Sequence, residues 1–154
     1  MNHIVIIGAG QAAAQAIVSL RQGGYEEAIT LVGDEKELPY QRPPLSKKYL
    51  SGEMKAERLF FRGQEYYDNE NVTLKLGCRA TAISADKKTV TLDDQSDLAF
   101  SKLIICTGSR PRQLPLPGAE LKNIFDVRTI ADIDAMKPAF TSGKKLIIIG
   151  GGYI

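Results

Sequence analysis

Three stretches of the chain carry residue types whose order and spacing can do chemistry. The first is Ile4-Val5-Ile6-Ile7-Gly8-Ala9-Gly10-Gln11-Ala12-Ala13. Four β-branched residues run into G-x-G-x-x-A, where the glycines permit a tight turn and Ala13 is small enough for close helix–strand packing. A helix starting there presents unpaired N–H groups and a partial positive charge, which suits a pyrophosphate. By itself the pattern is unspecific. The second stretch is Asp34-Glu35, about 20 residues beyond Ala13, where a carboxylate can accept a hydrogen bond from a ribose hydroxyl. At least one of the two reads equally well as a solvated loop carboxylate. The third is Pro39-Tyr40-Gln41-Arg42-Pro43-Pro44-Leu45-Ser46-Lys47, where proline stiffens a segment carrying Arg42 and Lys47. A stiff segment loses little entropy on meeting a ligand. Composition alone reads it as a surface loop with solvated charges.

These residues need elements to position them. Ile4–Ile7 reads as a strand buried on both faces. A helix follows from Gln11 to Gln22, and Gly23-Gly24 ends it. Ala28–Val32 is the second strand, closed by Gly33-Asp34-Glu35. Ser46 is placed to cap a short helix ending before Gly52. A helical turn covers Gln64–Asn69, and Val72–Leu76 alternates as a half-buried strand ended by Gly77. Ala80–Ser84, Thr89–Leu92 and Leu98–Phe100 read as a short antiparallel meander joined by polar turns. Leu103–Cys106 is again an apolar strand running into glycine, which puts Thr107 and Gly108 at the carboxyl edge of a sheet, where open α/β folds bind ligands. Ser109–Gly118 carries three prolines and reads as an extended linker, and Phe125–Arg128 as a brief extended piece. Thr129 is an N-cap with Asp132 completing an imperfect capping box, and the stripe Ile130, Ile133, Met136 is packing. Last, Leu146–Ile149 reads as a strand entering Gly150-Gly151-Gly152. The expected fold is α/β: a Rossmann-like domain with a parallel sheet and an inserted antiparallel β-meander, truncated at the start of a second Rossmann unit.

Composition narrows the function classes. The chain has 154 residues, 44% hydrophobic and 25% charged, enough for a core without staples. A net charge of +2 without a basic cluster gives no reason to expect nucleic acid or an anionic membrane surface. Cys78 and Cys106 have neither metal-ligand nor C-x-x-C spacing and read as buried small apolar residues of a reducing cytosol. No metal-ligand cluster is legible, and the single histidine, His3, reads as a polar residue ahead of the first strand. No apolar run approaches the roughly 20 residues of a transmembrane helix, so a cytoplasmic protein is expected.

Taken together, the motifs resemble the FAD- and NAD(H)-dependent ferredoxin reductases that serve aromatic-ring dioxygenases and cytochromes P450, within the pyridine nucleotide-disulfide oxidoreductases. The most specific match is Leu31-Val32-Gly33-Asp34-Glu35 followed by Pro39 to Lys47. Ile105-Cys106-Thr107-Gly108-Ser109-Arg110-Pro111-Arg112, Val127-Arg128-Thr129 and Gly150-Gly151-Gly152-Tyr153-Ile154 support it. Cys106 stands where that family usually has alanine. A full member is more than twice as long, so the resemblance implies residues 1–117 as part of an FAD-binding domain. Residues 118–154 would be a connector and the first strand and glycine turn of an NAD-binding domain.

The resemblance assigns roles. Gly8, Ala9, Gly10, Gln11 and Ala12 would hold the flavin pyrophosphate, and Asp34 or Glu35 would reach the adenosine ribose. Lys47 would lie beside the isoalloxazine ring and tune its redox chemistry, with Arg42 near the pyrophosphate or ribityl chain. Ala80 would touch the adenine side, Thr107 and Gly108 would pack near the cofactor, and Arg128 would pair with phosphate oxygens. Gly150 and Gly152 would belong to the NAD site. The implied activity is electron transfer from NADH through FAD to a ferredoxin or similar iron-sulfur partner, with hydride passing to flavin N5 before one-electron steps. The absence of C-x-x-C disfavours a disulfide relay. Other two-dinucleotide flavoproteins, of the NADH oxidase or nitrite reductase type, stay open, as does a non-catalytic nucleotide-binding fragment. The choice of ferredoxin, NADH against NADPH and the oligomeric state are not legible.

Overall fold

Each stretch of alternating or continuous apolar residues near the N-terminus becomes a strand of one sheet. The computed structural model describes residues 2–150. Its order is β1 (His3–Ile7), α1 (Gln11–Gln22), β2 (Ala28–Gly33), α2 (Gln64–Asn69), β3 (Val72–Leu76), β4 (Ala80–Ser84), β5 (Thr89–Leu92), β6 (Asp97–Ala99), β7 (Lys102–Ile105) and α3 (Ile130–Met136). Two further helical turns, Leu45–Tyr49 and Ala56–Arg58, precede α2, and a third, Lys137–Ala139, follows α3. The chain forms two compact units, Met1–Tyr40 with Phe60–Gly108 and Gln41–Leu59 with Ser109–Ile154.

In the first unit, β3-β2-β1-β7 form a four-stranded sheet and β4-β5-β6 a three-stranded one. Every neighbour in the larger sheet is parallel, with Ile7 opposite both Val32 and Ile105. The smaller sheet is antiparallel, with a register irregularity between Ala80 and Ala82. Side chains of a strand alternate between faces, so Ile4 and Ile6 of β1 pack with Ile29 and Leu31 of β2 against Ala13, Ile17 and Tyr67. Val5, Ile7 and Val32 face the other way and pack against Val90 and Leu92 of β5. The meander therefore covers the sheet face opposite the helices, which is why β1 is buried on both sides. Burying each of these aliphatic side chains contributes about 1.5–3 kcal/mol.

Some expectations are corrected. His3 lies inside β1, and its Nε2 shares a 2.9 Å hydrogen bond with Thr30 Oγ1, a polar group only 5% exposed. β7 is an edge strand: Ile104 packs partly buried against the helix-side cluster and Leu103 against the meander-side one, while its last residue, Ile105, is exposed. Cys78 and Cys106 are free thiols and only half-buried. Desolvation raises the Cys106 thiol pKa. Leu146–Ile149 forms no strand, and its four apolar side chains are exposed. No neighbouring strand among the described residues offers the ladder that a parallel strand requires.

Sequence gave no hint of the contacts at the far end of α1. Arg21 Nε and one terminal nitrogen donate to the Glu70 carbonyl at 3.0 and 2.7 Å, while the other terminal nitrogen donates to the carbonyls of Tyr25 and Glu27. Its side chain, 11% exposed, thus ties the end of α1 to the turn after α2. Tyr67 is the largest side chain buried there, edge-on to Tyr66, and its hydroxyl has no hydrogen-bond partner.

Burial, with Tyr66 adding to it, pushes the Tyr67 pKa from 10.0 up to about 12. The unfolded chain releases this proton near pH 10 and the native state does not, so the unfolded state binds fewer protons and stability falls as pH rises from 10 to 12. Below pH 10 the group contributes no pH dependence. Tyr67→Phe is expected to leave neutral-pH stability equal or raise it by about 1 kcal/mol, since it removes an unsatisfied buried hydroxyl. It should also flatten the alkaline loss in urea denaturation midpoints measured from pH 9 to 12.

Candidate functional site

The carboxyl ends of β1, β2 and β7 meet at one edge of the parallel sheet, and a glycine turn fills it. Gly8 has φ +105°, a conformation that glycine adopts without penalty. Its N–H donates to the Val32 carbonyl at 2.8 Å, and a Cβ there would lie 2.3 Å from the Cys106 carbonyl oxygen and 2.8 Å from Thr107 Cα. Gly33 is equally confined, because a Cβ there would lie 2.4 Å from Ala9 Cβ. Gly10 differs from both. It is the N-cap of α1 with extended backbone, nothing lies within 4 Å of where its Cβ would be, and no side chain caps the helix. The first turn holds no acidic residue, and Gln11 and Ala12 are exposed. An uncapped helix start facing open space is a cradle for anionic oxygens.

The acidic pair lies at the end of β2 with divided duties. Glu35 accepts a hydrogen bond from the hydroxyl of Tyr40, which is 3% exposed. Asp34 is the exposed member and pairs with Arg79 at 3.3 Å. The loop carrying Arg79 is held against β2: Gly77 N–H donates to the Glu35 carbonyl at 2.8 Å and Cys78 N–H to the Gly33 carbonyl at 2.9 Å. Ala80 opens β4 directly after this loop, opposite Leu92. Thr107 and Gly108 leave β7 at the same edge, both exposed, with Gly108 at φ +68°. The first unit thus brings Gly8 to Ala12, Asp34, Glu35, Ala80, Thr107 and Gly108 to the ends of its strands. Arg79 belongs to no local motif and is the residue that sequence reasoning missed; Tyr40 lies within the Pro39–Lys47 stretch, but nothing in the sequence pairs it with Glu35.

Arg42, Lys47, Arg128 and Gly150 belong to the second unit. An Arg42 terminal nitrogen donates to the Arg128 carbonyl at 2.7 Å, just ahead of α3. The capping box forms in full: Thr129 Oγ1 accepts from Asp132 N–H at 3.1 Å, and Asp132 Oδ2 accepts from Thr129 N–H at 2.7 Å. A second donor, Arg128 N–H at 3.1 Å, also reaches that carboxylate, which makes Asp132 an adequate substitute for glutamate. Ile130, Ile133 and Met136 are buried, as their spacing predicts.

The Lys47 segment departs from expectation. Its helical turn starts after Pro44 rather than at Ser46, and no side chain caps it. Proline fixes φ in the helical range and lacks an N–H, so it starts a turn without a capping group. Lys47 sits at a kink, with φ −123° and ψ −111°, and its Nζ donates to the Pro43 carbonyl at 3.2 Å. Leu45 and Tyr49 anchor the turn by burial, and the Tyr49 hydroxyl donates to Asp134 of α3 at 2.8 Å. Lys137 lies 3.6 Å from the centre of the Tyr49 ring and 3.3 Å from Asp134. Gly150, at φ +111°, ends an exposed irregular segment. Gly152 lies outside the described residues.

The chain is similar to known proteins in sequence and fold. The family model for pyridine nucleotide-disulphide oxidoreductases matches residues 2–154. The chain belongs to that family. Rhodocoxin reductase of Rhodococcus erythropolis is 43% identical over 151 residues, a match that takes in 98% of this chain and 35% of that protein. The crystal structure of the covalent putidaredoxin reductase–putidaredoxin complex superposes with a TM-score of 0.84 at 37% identity, over 90% of this chain and 34% of that one. A ferredoxin reductase of Rhodopseudomonas palustris gives the same TM-score at 34% identity, again over 90% of this chain and 34% of that one. The chain spans about a third of the length of the relatives it matches. Among the described residues, no helix is long and apolar enough to cross a membrane.

Proposed function

We propose that this chain is the FAD-binding portion of a cytoplasmic oxidoreductase that passes electrons from NADH through FAD to a ferredoxin or similar iron-sulfur partner. The observation that carries this reading is the start of α1. Gly10 leaves both the space and the N–H groups that a pyrophosphate requires, and Asp34 stands at the end of the neighbouring strand. The family match and the reductase names of the relatives support it. Residues 1–117 are assigned to the FAD domain and 118–154 to the connector and the first part of an NAD-binding domain.

Under this reading Gly8, Ala9, Gly10, Gln11 and Ala12 hold the pyrophosphate by backbone N–H groups. Asp34 orients the ribose, while Glu35, engaged by Tyr40, shapes the turn. Ala80, Thr107 and Gly108 border the cofactor, and Arg42 and Arg128 offer guanidinium groups to phosphate oxygens. Lys47 is the residue proposed to stand at the flavin ring, and Gly150 and Gly152 are assigned to the NAD turn. FAD supplies the hydride and single-electron chemistry when bound; the protein binds, orients and shields it.

A polypeptide that carries this chain and continues past Ile154 is expected to purify yellow and to reduce an artificial acceptor with NADH. A colourless product that binds NADH would overturn the flavoenzyme reading. In the same protein, Lys47→Ala should shift the flavin reduction potential or lower turnover, because a fixed cation beside the ring favours the anionic reduced form. Unchanged potential and turnover would return Lys47 to the status of a loop residue.

A further inference from the structure

We infer that Arg79 is a positioning residue for the nucleotide site: its guanidinium fixes the Asp34 carboxylate in the orientation that receives the ribose hydroxyl. The inference rests on the dinucleotide reading of the glycine turn and names a residue that the turn's own motif does not contain. Three sets of contacts converge on Arg79. Its loop is held to β2 by the Gly77 and Cys78 N–H groups, as described above. The loop is also held to the β5–β6 turn, because Arg79 N–H donates to Asp93 Oδ1 at 3.1 Å and the Arg79 carbonyl accepts from Asp93 N–H at 2.8 Å. From that clamped backbone its terminal nitrogen reaches Asp34 Oδ2 at 3.3 Å.

Stability does not explain the arrangement. Both side chains are 50% exposed, and an exposed pair of this kind contributes little to folding. Orientation is a better account. A planar guanidinium held against one carboxylate oxygen restrains rotation of the whole group about its last torsion. In Rossmann-type sites the acid at the end of the second strand works by geometry, accepting from a hydroxyl whose place is set by the pyrophosphate on the helix. A rotating carboxylate would lose part of that interaction to rotamer entropy. The backbone clamp from Asp93 keeps Arg79 itself from wandering.

The experiment is calorimetric titration of the protein with ADP and with 2′-deoxy-ADP. Losing one hydroxyl contact should weaken binding about tenfold in the unmodified protein. Arg79→Met should narrow this preference to about twofold, and Arg79→Lys should restore part of it. The ratio of the two affinities is the informative quantity, because losing a positive charge weakens both ligands alike and cancels. Asp34→Asn should abolish the preference and serves as the reference. A full tenfold preference in Arg79→Met would overturn the role of Arg79 and leave the glycine-turn reading intact. Binding of ADP without ribose preference in the unmodified protein would overturn it in the same way. No ADP binding by any form would overturn both.

Discussion

Gly8→Ala is expected to destabilise the protein by about 4 kcal/mol, a large share of the 5–15 kcal/mol that a domain typically has. Two costs combine. At φ +105° any L residue is strained, which alone amounts to about 1–3 kcal/mol. The new methyl would also lie 2.3 Å from a carbonyl oxygen and 2.8 Å from a Cα, both on the backbone of the segment leaving β7. Side chains can rotate away from such a clash, whereas this backbone is held by the Cys106 N–H donating to the Ile7 carbonyl at 2.8 Å. Gly24→Ala is the matched comparison. It too has positive φ, +80°, but nothing lies within 4 Å of its Cβ, so only conformational strain applies and about 1 kcal/mol is expected. Urea denaturation of the two variants separates the terms. If Gly8→Ala lost no more than Gly24→Ala, the tight approach of the glycine turn to β7 would be wrong.

Gly33 extends the same test to a side-chain neighbour. Its predicted clash is with the Ala9 methyl alone at 2.4 Å, so Ala9→Gly should recover much of the loss in Gly33→Ala. No single partner substitution can rescue Gly8→Ala, because its neighbours are main chain. The glycines at this edge of the sheet are therefore not interchangeable. Gly8 and Gly33 let backbone and methyl groups approach closely, and Gly10 keeps a space empty.

How much of this was legible in sequence follows from the range of each interaction. Ile4–Ile7, the helix from Gln11 to Gln22, the strand after Gly24 and the three short strands of the meander were readable because period and turn chemistry are local. The capping box at Thr129 was readable for the same reason, its two partners being three residues apart. Arg21, Arg79 and Tyr67 were not. Arg21 acts on a carbonyl 49 residues away and Arg79 on a carboxylate 45 residues away. No period or spacing announces such pairs. At Leu146–Ile149 the composition is that of a buried strand, and the described residues supply no neighbouring strand for it to pair with. At Ser46 a favourable capping residue lost to the preceding Pro44, whose fixed backbone starts the turn first.

Gly10→Asp is expected to separate binding from folding. The position has φ −101° and ψ −165°, extended backbone that any residue adopts, and its Cβ would enter open space. Aspartate is also among the best N-cap residues, accepting from the free N–H groups of the first turn and complementing the helix dipole. Thermal stability should therefore hold or rise by up to about 1 kcal/mol. Nucleotide binding should fall at least a hundredfold, because the carboxylate occupies the same N–H groups and repels the phosphates. Two unit charges about 4 Å apart at an effective dielectric constant of about 20 repel by roughly 4 kcal/mol, so even half of that gives a thirtyfold loss before the lost hydrogen bonds are counted. Gly10→Ser divides the two contributions, since a neutral cap competes for the N–H groups without the repulsion, and it should lie between the parent and Gly10→Asp. The measurements are ADP affinity by calorimetry and, in a polypeptide continuing past Ile154, flavin content as purified. Undiminished nucleotide binding in a stably folded Gly10→Asp protein would place the pyrophosphate somewhere other than the start of α1. That result would remove the observation on which the flavoprotein reading stands.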